Sequence, residues 1–313
     1  MRSSSSPGSK QNWRAATAFA LVLGTTLLAA CGPVPDTSVA PGLDARADVV
    51  SGIQRSDAAA TLLPASVRDV GALRVGRSIG SPPAGFYLED NRTAVGLDVD
   101  ITEAVARKLG LRVEAEEAAF ETILPALGSG KYDAGTGNFG VTEERKKTID
   151  FATYIQDGQG FAVRKGDAGG PITDVTQLCG RTVGTSKGTT FEATLNAQVH
   201  RCAEIGEPAY QVQVFSESST LYSALSQHKI DAIMSTINGL RYASTQQPAV
   251  ELRNEFRRLD VGFALAKGSP LAPALQAAVN ELIRDGDYER ILNKWGVAAS
   301  AIPESQVSPA EIH

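Results

Sequence analysis

The octapeptide "GFAVRKGD" at Gly160–Asp167 returns almost unchanged as "GFALAKGS" at Gly262–Ser269. Each copy is a short apolar run closed by a lysine and a glycine, the pattern of a buried strand entering a turn. The chain between them alternates two periodicities. "RTVGTS", "YQVQVF" and "IDAIMST" read as strands, while "TTFEATLNAQVHRC", "SSTLYSALSQHK" and "NGLRYASTQ" read as helices. That is enough material for a separate sheet. Two like strands bracketing an inserted α/β unit predict two lobes joined by two crossing strands.

The flanking chain follows the same rhythm. "ALRVGRSIG", "LRVEAEE" and Tyr132–Thr136 read as strands, as do "FATYIQDGQGFAVRKGD" and "LDVGFALAKGS". "GLDVDITEAVARKLG" carries Ile101, Val105 and Leu109 at helical spacing, behind an acidic start and before Gly110. "FETILPALG" is a second helix that stops at Gly128-Ser129-Gly130, and "LAPALQAAVNELIRDGDYERILNKWG" holds a pair of helices. The fold class is therefore α/β, with open, mostly parallel sheets covered by helices on both faces.

Bulk properties narrow the function. Acidic residues exceed basic ones, 35 to 30, which argues against nucleic acid as a partner. The three histidines, His200, His228 and His313, have no metal-ligand spacing, and no metal or cofactor is expected. Arg2, Lys10 and Arg14 precede an uncharged apolar stretch, Ala15 to Ala30, that is too short for a comfortable spanning helix. Residues 1–30 are expected to be a signal peptide. "LAAC" at Leu28–Cys31 resembles a lipobox, which implies cleavage before Cys31 and a lipid on its sulfur. Residues 31–65, rich in Pro, Ala, Ser, Asp and Gly, read as a flexible tether to the outer face of the membrane. In an exported protein the remaining thiols, Cys179 and Cys202, are expected to pair, closing a loop that contributes about 3 kcal/mol.

One stretch carries the chemistry. "GNFGVTEERKKTIDF" joins a glycine loop to a charged helix start, where unpaired amides and the helix dipole favour anions. Thr142 is an N-cap candidate. Arg145, in the first turn, can grip a carboxylate with two parallel hydrogen bonds. The residues alone equally allow an exposed arginine paired with Glu143 or Glu144.

Several phrases together resemble the family 3 extracellular solute-binding proteins, the polar amino-acid binding components of ABC importers. They are "LRVG", "PPAGFY", "VGLDVDITEAVARKLG", "FETILPALGSGKYDAG", "VTEERKKTIDF", "GRTVGTSKGTT", "KIDAIMST" and "GFALAKGSP…DGDYERILNKWG", in order over about Ala72 to Val297. The resemblance implies a type II periplasmic-binding-protein-like fold, each lobe an α/β sandwich. Lobe 1 would be 66–163 plus 263–300 and lobe 2 164–262, with a C-terminal tail over 301–313. The protein would be a monomer that captures a small polar solute, an amino acid by preference, and delivers it to a membrane permease.

The resemblance also implies site residues. Asn138, Gly140 and Arg145 would form the lobe-1 half of a carboxylate clamp, with Phe86 and Phe120 as stacking aromatics. Thr189 and Thr190, in "SKGTT", would form the lobe-2 half, with Ser235 and Thr236 nearby. The Gly-x-x-x-x-Gly-Lys-Ser/Thr phosphate loop is absent.

Three positions depart from the family pattern. Thr236 stands where an acid usually meets the ligand ammonium, Ser78 where an aspartate is usual, and Gly140 where a Ser or Thr is usual. A buried ammonium without a carboxylate is costly. Either Glu217 or Glu89 reaches in, or neutral groups such as Ser235, Thr236 and Asn238 suffice, or the ligand is a carboxylate of another class. A sensor that presents its ligand to a receptor, and a dehydratase-type cleft enzyme, are the alternative functions. Ser226-x-x-Lys229 superficially fits an acylase motif but lacks companion motifs, and an appended peptidoglycan-cleaving domain is not expected.

Overall fold

The computed structural model describes residues 43–312. The expected signal peptide, Cys31 and the first part of the expected tether lie outside them, as does His313.

Two long strands organise the molecule. β6 (Ile149–Arg164) and β10 (Val250–Ala266) run antiparallel along most of their lengths and end in the apolar parts of the repeated phrases. Before them come α1 (Asp57–Ala60), α2 (Ala65–Arg68), β1 (Ala72–Arg77) and a small hairpin of β2 (Phe86–Tyr87) with β3 (Ala94–Val95). α3 (Leu97–Leu109), β4 (Arg112–Glu117), α4 (Phe120–Gly128), β5 (Ala134–Thr136) and the short α5 (Glu143–Lys146) complete that side. The insert supplies β7 (Thr182–Ser186), α6 (Thr190–Gln198), α7 (Arg201–Glu204), β8 (Gln211–Phe215), α8 (Ser218–Ser226), β9 (Ala232–Thr236) and α9 (Ile237–Gln246). α10 (Ala272–Asp285) and α11 (Asp287–Lys294) follow β10.

The strand order is β4-β1-β5-β10-β6-β9-β7-β8. β1 pairs in parallel with β4 and β5, and β7 with β8 and β9. The crossing strands are antiparallel to their neighbours, so each lobe is mixed rather than purely parallel. The lobes bury separate cores. In lobe 1, α1, α3, α10 and α11 cover one face, with Ile101, Leu275, Leu282 and Trp295 inside; α4 covers the other over Phe139 and Phe151. In lobe 2, α6 and α7 pack on one face and α8 and α9 on the other. The Cys179–Cys202 disulfide, with Cα atoms 5.7 Å apart, ties α7 to the turn before β7.

α3 shows how the sequence builds an element. Its apolar stripe is buried, Asp98 and Asp100 complement the N-terminal dipole, and Gly110 ends it at φ 70°, a left-handed cap that glycine adopts without steric cost.

Two expectations need correction. From residue 43 onward the expected tether is not a tether. Ala45, Ile53, Ala59, Ala60 and Leu63 are buried in the lobe-1 core, and Ser56 N donates to Lys108 O at 2.8 Å. Burial of Ile53 and of Leu63 contributes about 1.5–3 kcal/mol each; these anchors are sparse, so average composition conceals them. The expected tail, 301–313, is also docked where it is described. Thr153 N donates to Gln306 O at 3.0 Å and Gln306 N donates to Thr153 Oγ1 at 2.8 Å, Lys146 Nζ donates to Pro309 O at 2.8 Å, and the Glu311 carboxylate accepts from Glu143 N and pairs with Arg257, both at 2.7 Å. This strap crosses behind α5 and touches β10.

Candidate ligand cleft

α5 is short, but its cap is well made. Thr142 Oγ1 accepts from Arg145 N at 3.2 Å. This aims Arg145 inward, where its guanidinium lies 5.8 Å from the ring centres of both Phe120 and Phe139. Those rings stack at 4.6 Å. One Arg145 nitrogen donates to Gly140 O at 3.0 Å. Glu143 and Glu144 pair instead with Lys146 and Lys147, at 2.8 and 2.5 Å. Among the described residues no carboxylate pairs with Arg145, and desolvation pushes its pKa down to about 10. A half-buried cation with donors to spare is built to receive an anion.

It opens on a cavity of about 370 Å³ between the lobes. Lobe 1 contributes Ser78, Ser81, Pro82, Phe120, Glu121, Gly137, Asn138 and Arg145. Lobe 2 contributes Ser186, Lys187, Thr189, Thr190, Glu217, Tyr222, Ser235, Thr236, Tyr242 and Gln246. Thr189 caps α6, accepting from Glu192 N at 3.3 Å and donating to Ser186 O at 2.6 Å. The Gly188 amide is engaged by Glu192 at 2.7 Å, so the loop has fewer open amides than its sequence suggests. Thr236 caps α9, its hydroxyl accepting from Gly239 N at 3.0 Å.

Of the sequence candidates, Phe120, Asn138, Arg145, Thr189, Thr190, Ser235 and Thr236 all line this cavity. Gly140 stands behind Arg145 and reaches it through its carbonyl. Phe86 does not line the cavity; it is buried in the lobe-1 core, edge-on to Trp295 at 5.9 Å. Glu89 is exposed and outside the lining, and the Asn238 side chain is turned to Ser300 at 2.9 Å. Glu217 does reach the cavity and has no ion pair among the described residues.

Two features were not read from the sequence. The first is contact across the cleft: Lys187 pairs with Glu121 at 3.1 Å, and Ser81 meets Ser218 at 3.2 Å. The second is a pair of buried carboxylates behind Asn138, which has φ 57°. Asp98 accepts from Asn138 N at 2.8 Å and from Tyr154 Oη at 2.7 Å. Asp157 accepts from Asn138 Nδ2 at 2.6 Å and from Asn238 N at 3.1 Å. Desolvation pushes both pKa values up to about 6. Neither an acid in the first turn of α3 nor one in β6 gives a sequence signal of such burial.

The sequence profile of bacterial extracellular solute-binding proteins, family 3, matches residues 73–298. The chain belongs to this family. As a family 3 solute-binding protein it is similar to the arginine-binding protein ArgT of Corynebacterium glutamicum, 27% identical over 79% of this chain and 81% of that one. It is similar also to the L-cystine-binding protein TcyJ of Escherichia coli, 28% identical over 73% and 84%. Among solved structures, an ancestral arginine-binding protein bound to arginine superposes with a TM-score of 0.65 at 34% identity, covering 72% of this chain and 98% of that one. A mutant of the T. maritima arginine-binding protein gives 0.67 at 26%, covering 76% and 99%. The family 3 fold, two lobes about a cleft, is thus the fold of this chain, and its members are binding proteins rather than enzymes.

Proposed function

We propose that this protein captures a polar amino acid between its lobes and delivers it to the permease of an ABC importer, with Arg145 holding the ligand carboxylate. The observation that carries this reading is the half-buried guanidinium of Arg145, backed by two aromatic rings and facing a cavity lined by the Thr-capped start of α6. Charge-assisted bonds to such a group are the strong ones. Phe120 offers a ring to the ligand, while Thr189, Thr190, Ser235 and Thr236 offer hydroxyls from lobe 2. Ligand contacts to both lobes favour closure about β6 and β10. Names among the relatives, for arginine, cystine and glutamine, point to amino acids. The two lobes correspond in outline to 66–163 plus 263–300 and to 164–262, with Ala45 to Leu63 and Ile302 added to the lobe-1 core and Phe161 to Val163 to the lobe-2 cores. A lipid on Cys31 would hold the protein at the outer face of the membrane.

The test is calorimetric titration of the mature chain, freed of carried-over ligand by unfolding and refolding. The twenty amino acids, ornithine, citrulline, betaines and small dicarboxylates would be tried in turn. Binding of an amino acid, lost in Arg145→Ala, is the expected result. Binding only of a carboxylate without an ammonium would overturn the amino-acid assignment.

A further inference from the structure

An α-amino acid carries its ammonium and carboxylate on one carbon. A carboxylate held by Arg145 therefore brings the ammonium within about one residue's reach of the same loop. Two acids line the cavity, Glu121 and Glu217, and neither belongs to that loop. Thr236 and Ser78 are neutral, and Glu121 is committed to Lys187. Glu217 lies at the exposed start of α8, beside the Ser218 contact with Ser81. The polar group of the Arg145 loop that lines the cavity is Asn138. Its side-chain amide nitrogen donates one of its two hydrogens to Asp157 at 2.6 Å, and Oδ1 is its acceptor. Its backbone N–H is committed to Asp98. Asn138 thus stands between the cavity and two buried acids.

We propose that Asp157 is the counter-charge for the ligand ammonium, acting at one remove as a positioning residue. It fixes Asn138 with Oδ1 toward the cleft, and its field passes through that amide to the ammonium. This deepens the amino-acid reading above and rests on it. The arrangement replaces a carboxylate in direct contact with a neutral acceptor backed by a buried charge. In a low-dielectric interior such a charge still acts over several ångströms. Asp157 also accepts from Asn238 N, in the first turn of α9 next to Thr236. The same carboxylate therefore ties a lobe-1 lining residue to a lobe-2 helix at the crossing strand, so Asp157 senses both halves of the cleft.

The charged and titratable groups around Asp157 are Asp98 from α3, Tyr154 from β6 itself, and Arg258 from β10. Asp98 repels a second charge and Arg258 favours it. Burial leaves Asp157 with a pKa of about 6, so it is ionised above that pH and neutral well below it.

The experiment compares each amino acid with its deaminated counterpart: arginine with guanidinovalerate, glutamine with glutaramate, cystine with dithiodipropionate, and likewise across the twenty. The readout is the ratio of the two affinities for the tightest-binding amino acid. In Asp157→Asn the ratio should fall about tenfold or more, while the deaminated acid binds nearly as before. A purely structural role would lower both affinities together and leave the ratio unchanged, which overturns the proposal. Unaltered protein gives a second readout that does not depend on the variant folding. Its ratio should fall as pH drops from about 7.5 to about 5, where the amino acids keep their ammonium; a flat ratio overturns the proposal. If no amino acid binds at all, the amino-acid reading fails and this one with it. If one binds and the ratio stays fixed in either test, this one fails alone.

Discussion

Gly188 sits where the lobes meet. Its φ is 72°, and an added Cβ would lie 2.8 Å from Glu121 Cβ on the opposite lobe. Carbon atoms rest at about 3.5–4.0 Å, so Gly188→Ala pushes the lobes apart at that point. Two costs follow, and they separate. The left-handed conformation costs alanine about 1–2 kcal/mol whether the cleft is open or closed. It lowers the melting temperature by a few degrees and leaves affinity alone. The clash exists only when the lobes touch. Overpacking of this kind costs about 1–3 kcal/mol, which weakens binding by about 5- to 150-fold. The Lys187–Glu121 pair, at 3.1 Å, opens with it. Titration calorimetry with the tightest-binding amino acid measures the second cost, and thermal melting of ligand-free protein the first. Glu121→Gly in the same chain removes the opposing Cβ and should recover most of the lost affinity. An unchanged Kd in Gly188→Ala beside a lowered melting temperature would refute the reasoning, because the bound form would then not bring Gly188 against Glu121.

Other outcomes follow from single contacts. Arg145→Lys keeps the charge but loses the planar fork, and should weaken amino-acid binding by about tenfold to a hundredfold in titration, from about 1.5–3 kcal/mol of charge-assisted bonding. Glu311→Ala removes the acceptor of Glu143 N and the ion pair with Arg257, both at 2.7 Å; loosening the back of α5 by about 1 kcal/mol should reduce affinity about fivefold, read in the same titration. Reduction of Cys179–Cys202 should destabilise lobe 2 by about 3 kcal/mol in a thermal melt and leave affinity nearly unchanged. Asp98, with its pKa raised to about 6 by burial, binds a proton more tightly folded than unfolded. Its contribution therefore makes the protein less stable as pH rises from about 4 to 6, by up to about 3 kcal/mol, and is constant above 7. In denaturant titrations across that range, wild type minus Asp98→Asn should show this fall, and a flat difference would remove the carboxylate from the account.

The elements that were legible are those whose local signals agree. In α3 the acidic start, the apolar spacing of Ile101, Val105 and Leu109, and Gly110 all point one way, and the helix runs between them. Thr142 was legible as a cap for the same reason, whereas the local residues left Arg145 equally open to pairing with Glu143 or Glu144. The first half of β10 was not. "VELRNEFRR" looks like a solvated stretch, yet it pairs with β6 from Val250 onward, its polar side chains half-buried along the lobe-2 edge. Residues 43–65 were hidden because a few small apolar side chains anchor a polar segment through contacts with distant helices. Phe86, a candidate through the family resemblance, is buried in the core, because a family position fixes a residue's place along the chain and not the way its side chain faces. Asp98 and Asp157 look like ordinary surface acids until the fold brings Asn138 between them.

Lobe 1 is built from both ends of the chain. Leu73, Val75 and Ile101 share one core with Leu275, Leu282, Ile291, Trp295 and Ile302, whereas the cores of lobe 2 draw on Phe161 to Phe256 alone. As the chain emerges vectorially, from a ribosome or across a membrane, lobe 2 acquires all its partners first. The earlier strands of lobe 1 remain without half of their hydrophobic layer until α10 and α11 arrive. Contacts of such sequence separation form late and slowly. The order of assembly is thus the reverse of the order of synthesis. The lobe that begins first finishes last.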